Sequence, residues 1–179
     1  DFNPSGNTVA TPGLLASRNG VIERSQVRLD NSSLASQAVG PILDHLEMSY
    51  AGRTWPKLGK KMLSLSPLAL QRVASDDSVL GTMAAAGARG LAAGITYRTM
   101  IRDAFQPARW ESSQLFNESG EALPGRTGEP ANTSEYTQAE YNFSLFWGLA
   151  LQAYQSTLIS NDSPFDRFMD GDTSALTAQ

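Results

Sequence analysis

The sequence predicts a mainly α fold with long irregular loops, and three observations favour it. Aromatic and aliphatic residues recur at helical spacing between residues 143 and 159. A Ser or Thr followed within two residues by Pro, a pattern typical of helix beginnings, occurs at Thr54, Ser66 and Ser163. The third observation is a long segment, residues 79–105, that is rich in Ala and in other good helix formers. These features together favour packed helices.

Composition narrows the function classes. A chain of 179 residues is long enough for one domain with a hydrophobic core. The formal charge of −4, without any block of like charge, argues against a nucleic-acid partner or an anionic membrane surface. No apolar run approaches the roughly 20 residues that a membrane-spanning helix needs. We therefore expect an ordinary soluble surface.

The absence of Cys and the presence of only one His exclude several kinds of cofactor and metal site. The chain has no Cys, so its residues offer no disulfide, no thiolate ligand and no CxxCH haem-attachment motif. Its single His excludes a metal site built from several imidazoles, and no residue is predicted as a metal ligand. The chain begins with Asp1 rather than Met, and we expect it to be a processed product or a piece of a longer protein.

The N-terminal third is predicted to be irregular apart from one short helix. Residues 1–33 are rich in Asn, Ser, Gly, Thr and Pro and show no sustained period, which indicates an extended arm with at most one short strand near Val21. A short helix is expected over Leu34–Val39, and Gly40 followed by Pro41 ends it.

Helices dominate the predicted middle of the chain. Thr54 is expected to cap a helix that carries Pro56 in its first turn, where a missing N–H costs nothing. Ser66 gives the same signal for a second helix. A longer helix is predicted from Val79 to about Phe105, with a break at the glycines of residues 87–90.

The C-terminal part contains the strongest helical pattern. Residues 111–134 return to loop composition, with several Gly and Pro. Thr137 and Glu140 form a predicted capping box ahead of the helix at residues 143–159. A short helix then begins at Ser163 by the same Ser-cap and Pro-first-turn logic.

Gln37, Pro41 and Glu47 are the main candidates for chemistry. An amide and a carboxylate on one rigid loop can bind a small polar ligand and carry a proton across it. The alternative is structural: Gln37 caps a helix and Glu47 forms a surface ion pair. Spacing alone leaves both interpretations open. His45, two residues before Glu47, is either a ligand or base or simply an exposed side chain.

Other residues have a possible redox or cofactor role beside a structural one. Trp55, Trp110 and Trp147 either relay electrons or fill the core, and the apolar helix face favours the core for Trp147. The Ala- and Gly-rich segment at residues 84–94 either forms the floor of a cofactor pocket or allows close helix packing.

Two stretches resemble the bacterial di-haem cytochrome c peroxidase family. Residues 30–59 carry the Gln-x3-Pro-x5-Glu spacing of Gln37, Pro41 and Glu47, and residues 141–177 carry the SPFDRF segment. The resemblance spans about residues 28–179. The superfamily also contains di-haem enzymes that mature a tryptophan cofactor and di-haem rubber oxygenases. The resemblance implies a portion of a cytochrome c-like helical domain, incomplete without its haem-binding segments.

The resemblance also implies roles for the loop residues and a division of the chain. Gln37 would position peroxide, Pro41 would shape the loop over the haem iron, and Glu47 would act as acid and base. Residues 1–33 would be the end of an insertion or arm, residues 34–160 the helical part of the peroxidatic haem domain, and residues 161–179 the start of the second haem domain.

The implied cofactors are two haem c groups, whose attachment sites are not among these residues. The Trp that lies between the haems in relatives is also missing at the corresponding spacing, where Val27 stands. The implied partners are the haem-bearing remainder of the protein or another chain, and a small c-type cytochrome or cupredoxin that donates electrons in the periplasm. Two alternatives stay open: a di-haem oxygenase of the same superfamily, and a non-catalytic helical subunit of a haem electron-transfer assembly.

Overall fold

A computed structural model describes Phe2, residues 13–87 and residues 89–176 of the chain. Residues 3–12 of the predicted arm, residue 88 of the predicted long helix and residues 177–179 lie outside the described part. In chain order the elements are β1 (Leu14–Arg18), β2 (Val21–Ser25), α1 (Ser33–Ala38), α2 (Trp55–Met62), α3 (Tyr97–Ala104), β3 (Gln114–Phe116), β4 (Ala122–Thr127), α4 (Gln138–Tyr141), α5 (Phe143–Ser156) and α6 (Pro164–Met169).

The prediction of a mainly α fold is wrong. Of the described residues, 34% are helical and 13% lie in strands or bridges, in six short helices and two small sheets. Each sheet is one antiparallel pair, β1 with β2 and β3 with β4. The helices are shorter than the sequence pattern indicated because turns interrupt the segments with the highest helix propensity.

One predicted helix is absent from the described residues, and another is only partly formed. The segment that follows Ser66 forms turns, and Leu68 lies in the left-handed region with φ of 56°. Of the predicted helix from Val79 to Phe105, only the 3₁₀ turn Gly81–Met83 and α3 are helical. Gly87, Gly90 and Gly94 all have positive φ, which is incompatible with a continuous right-handed helix. Local turn geometry therefore outweighs the propensity of the alanines.

The N-terminal segment is a hairpin, where an extended arm with at most one strand was predicted. β1 and β2 pair in register from Leu14 with Ser25 to Arg18 with Val21. Asn19 and Gly20 join them, both at positive φ, as a two-residue hairpin turn requires. The first three residues of β1 are buried, so the hairpin belongs to the folded body.

Several other sequence predictions are confirmed. α1 and α2 begin within one residue of the predicted positions. The capping box of Thr137 and Glu140 forms, although Thr54 makes no side-chain cap bond. α5 is the longest helix among the described residues, at 14 residues. Its N-terminal half is buried, whereas Tyr154 near its end is 60% exposed.

The core lies around the N-terminal half of α5. α1 packs against α5, and α2 packs against both α4 and α5. The cluster is built from residues of all these elements and includes Ala35, Val39, Trp55, Leu58, Phe143 and Phe146. Among the described residues, no helix combines the length and the apolarity required to cross a bilayer.

Candidate functional site

The loop that carries the three predicted site residues is wound by successive backbone hydrogen bonds. Gln37 lies in the last turn of α1, and the Gly40 N–H donates to the Gln37 carbonyl over 3.1 Å. Pro41 begins the 3₁₀ turn Pro41–Leu43, where its ring fixes the backbone angle φ. The Asp44 N–H then donates to the Pro41 carbonyl over 3.1 Å. The backbone between Gln37 and Asp44 is therefore ordered by local structure.

Asp44 organises the half of the loop that contains Glu47. Its carbonyl accepts hydrogen bonds from the N–H groups of Glu47, Met48 and Ser49 at 3.0 to 3.3 Å. Its side-chain Oδ1 accepts from the Leu46 N–H over 2.8 Å. Sequence reasoning missed this role, although an Asp that accepts from the N–H two residues later is a known turn signal.

The side chains of Gln37 and Glu47 both face solvent. Neither forms a hydrogen bond or ion pair with another described residue, and His45 between them is exposed as well. The structural alternative, a capping amide and a surface ion pair, is thus not seen within the described part of the chain. An unpaired amide and an unpaired carboxylate retain their full capacity to bind a ligand.

α1 is held on α5 by contacts on either side of Gln37. The Ala35 N–H donates to Gln152 Oε1 over 3.1 Å, and the Trp147 indole N–H donates to the Ala38 carbonyl over 3.2 Å. Gly148 permits this approach, because a Cβ built there would lie 2.7 Å from the Ala35 carbonyl oxygen. The backbone of Gln37 is thereby fixed relative to α5.

An open apolar groove lies between α3 and α5, and we call it the α3–α5 groove. It has a volume of about 400 Å³. Its lining is almost entirely apolar and includes Met100, Ala104, Phe105, Phe146, Trp147 and Ala150. Apolar pockets of this size are typical of small-molecule and cofactor sites.

Trp147 connects this groove to the loop. One part of its ring lines the α3–α5 groove, while its indole N–H bonds the residue that follows Gln37. The ring also packs 6.3 Å, centroid to centroid, from both Trp55 and Phe143. Trp147 was predicted to be core or relay, and its ring contacts core aromatic residues and also lines the α3–α5 groove.

Trp55, Trp110 and the segment 84–94 lie in three different environments. Trp55 is buried, and its indole nitrogen has no partner among the described residues. Trp110 lies on the opposite side of α3, where its indole N–H donates to the Phe105 carbonyl. None of the described residues of the segment 84–94 lines the α3–α5 groove, and a cofactor floor formed by this segment stays a prediction. They form turns.

Residues of α3 form one wall of the α3–α5 groove, and the sequence analysis did not single them out. Met100 is one of these residues. The signal that could have identified them was the apolar spacing of α3, but the helix partner was not visible. Within the described residues, no group of three or more His, Asp or Glu side chains is arranged to hold a metal ion.

Comparisons with known proteins support the resemblance. A model of the family described as di-haem cytochrome c peroxidase matches residues 9–174, which include every element from β1 to α6. A search of curated proteins and a search of solved structures each found no match. The matched range contains both the loop from Gln37 to Ser49 and the α3–α5 groove.

Proposed function

The chain belongs to the di-haem cytochrome c peroxidase family, and we propose that it supplies the loop over the peroxide-reacting haem of an enzyme that reduces hydrogen peroxide to water. The family assignment inferred from the Gln37, Pro41 and Glu47 spacing is confirmed by the match. The observation that carries the functional proposal is the hydrogen bond from Trp147 to Ala38, because it ties a residue that lines the α3–α5 groove to the last residue of α1, next to Gln37.

The described residues fit the apolar part of a haem. The α3–α5 groove offers aromatic and aliphatic walls, with Phe105, Phe146 and Trp147 placed to contact a macrocycle and Met100 beside them. When bound, haem supplies the electron transfer that peroxide reduction requires. The residues that attach and ligate the two haem c groups belong, in this proposal, to the haem-bearing remainder of the protein or to another chain.

Glu47 is proposed as the acid and base of the reaction. Heterolysis of peroxide is assisted when a proton moves from one oxygen to the other, and a carboxylate can accept and return that proton. Exposure and the absence of an ion pair to a described residue leave the Glu47 carboxylate available. Its backbone is held by Asp44, which limits where the carboxylate can reach.

Gln37 and Pro41 are proposed to position the ligand and the loop. The Gln37 amide has both a donor and an acceptor, so it can bind either oxygen of peroxide. Pro41 restricts the backbone at the start of the 3₁₀ turn that leads toward Glu47. The hydrogen bonds of Ala35 and Ala38 to α5 keep this arrangement in register with the groove.

The division of the chain and its partners follow from the same proposal. Residues 1–33, which contain the hairpin of β1 and β2, are the end of an insertion, residues 34–160 belong to the peroxidatic haem domain, and residues 161–179 are the start of the second haem domain. Electrons come from a small c-type cytochrome or cupredoxin in the periplasm, and two electrons with two protons convert each peroxide to two waters.

The substitution Glu47→Gln in the haem-loaded protein tests the proposal. We expect peroxide turnover to fall by about 100-fold or more, since a positioned acid and base contributes at least that much. Visible spectra should show both haems still bound. Glu23→Gln, which changes an exposed carboxylate on β2, is the matched control and should leave turnover unchanged. Equal turnover in the Glu47 variant and wild type would remove the assignment.

A further inference from the structure

A second cavity lies on the other side of α3 from the groove, and we call it the Arg98 pocket. Its volume is about 260 Å³. Arg98 and Arg102 are four residues apart on α3 and therefore lie on one side of that helix. Ile101 lines both the Arg98 pocket and the α3–α5 groove, so it lies between the two cavities.

Arg98 is a half-buried cation without a partner among the described residues. Its guanidinium forms no hydrogen bond or ion pair there, although a guanidinium carries five N–H donors. Glu111 and Glu129 also line the pocket, yet neither forms an ion pair with an arginine. The backbone beneath Arg98 is fixed, because its N–H donates to the Leu63 carbonyl over 3.0 Å.

Trp110 gives the pocket a rigid flat wall. Its indole N–H donates to the Phe105 carbonyl over 2.9 Å, which fixes the ring. The guanidinium of Arg102 lies 5.5 Å from the ring centroid, in the range of a cation–π contact. Leu63, Ile101 and Ala139 contribute apolar lining. Cationic and apolar surfaces therefore face the same small cavity.

We propose that the Arg98 pocket binds a carboxylate group on a small apolar or aromatic body. Arg98 supplies the planar fork that a carboxylate accepts in two parallel hydrogen bonds, and Trp110 with the apolar lining contacts the body. Glu111 and Glu129 at the exposed edge disfavour a more highly charged anion such as phosphate. This site does not depend on peroxide reduction.

The carboxylate has two possible sources of the same chemistry. One is a free organic acid that enters from solvent. The other is a propionate side chain of haem, because Ile101 borders both cavities, and this source rests on the haem proposed for the α3–α5 groove. The experiment separates the two sources with two measurements on the same variants.

The first measurement is calorimetric titration of benzoate into the haem-loaded protein. If a free acid is the ligand, we expect benzoate to bind wild type and to bind Arg98→Gln at least about tenfold more weakly, from the loss of a charge-assisted pair. Arg98→Lys keeps the charge but not the fork, and should bind with intermediate affinity. Arg72→Gln, at an exposed arginine outside the pocket, should bind like wild type.

The second measurement is the midpoint potential of the haems. If a propionate fills the pocket, benzoate binds none of the proteins, and Arg98→Gln shifts a haem potential and its pH dependence while Arg72→Gln does not. The proposal is overturned if Arg98→Gln matches Arg72→Gln in both measurements. If Arg98→Gln does not fold, Arg98→Lys replaces it, and benzoate affinity and haem potentials equal to those of Arg72→Gln would then overturn the proposal. Benzoate affinity of Glu47→Gln should equal that of wild type, so failure of the peroxidase proposal leaves this result readable.

Discussion

The two sides of α5 have opposite environments. On one side, α1 covers the helix, with Ala35 and Val39 fully buried against it and Gly148 allowing the close approach. On the other side, Trp147 and Ala150 line a groove that the described residues leave open. An uncovered apolar surface on a folded protein marks a binding site. One helix, α5, therefore both packs against α1, which carries Gln37, and presents the open apolar groove.

Gly148→Leu should disrupt the packing of α1 on α5 and have the largest effect on stability. A Cβ at this position would lie 2.7 Å from the Ala35 carbonyl oxygen, so α1 must move away. We expect a loss of about 3 kcal/mol in the free energy of unfolding, measured by urea denaturation. Ala153→Leu, at an exposed position of the same helix, is the control. Equal stability of the two variants would show that α1 is not packed as described.

Ala150→Glu should damage the open side without unfolding the protein. The side chain is exposed, so the free energy of unfolding should change by no more than about 0.5 kcal/mol. A charge in the groove would have to be desolvated against a macrocycle, and we expect peroxide turnover to fall by about tenfold. Ala153→Glu adds the same charge outside the groove. If both variants turn over peroxide equally, the groove does not contact the haem.

Gln152→Ala should have the smallest effect of the three substitutions, and it tests the contact between α1 and α5. It removes the acceptor of the Ala35 N–H, and the expected cost is about 1 kcal/mol of unfolding free energy. Hydrogen exchange at the Ala35 amide should accelerate, because that bond protects it. Gln155→Ala, an exposed glutamine without a side-chain hydrogen bond among the described residues, should change neither quantity. Unaltered exchange in the Gln152 variant would mean that the bond does not hold α1.

Helix beginnings show how far local sequence signals reach. Ser163 and Ser66 carry the same Ser-Pro signal, but only Ser163 starts a helix. The third residue after Ser163 is Asp166, which completes a capping box, whereas Ala69 stands at the matching place after Ser66. The hydrogen bonds from the Ser163 hydroxyl and backbone N–H hold the pKa of the Asp166 carboxyl below its usual value. The reciprocal partner therefore separates the two cases.

Two segments show the limits of local sequence signals: the hairpin of β1 and β2, and the segment after Val79 that was predicted to be a long helix. Asn19 followed by Gly20 is a sequence typical of a two-residue hairpin turn, and both residues have positive φ. The loop-like composition of residues 1–33 favoured an extended arm instead. The position of the hairpin on the core could not be predicted from local sequence, because it depends on a residue 127 positions away. The Asn142 side chain accepts a hydrogen bond from the Leu15 N–H and donates one to the Leu15 carbonyl. In the segment after Val79, alanine propensity favoured a helix, and the glycines at positive φ decided otherwise.

The amino-acid sequence is enough to predict the capping box of Thr137 and Glu140, the beginning of α6 at Ser163 and the apolar pattern of α5, because each depends on residues that are close together in the chain. Which surfaces meet depends on the tertiary structure. The bond from Trp147 to Ala38 joins residues 109 positions apart, and the groove and the Arg98 pocket exist only once α3 is placed beside its neighbours. Such contacts arise from the packing of side chains distant in the chain, and no local pattern encodes them.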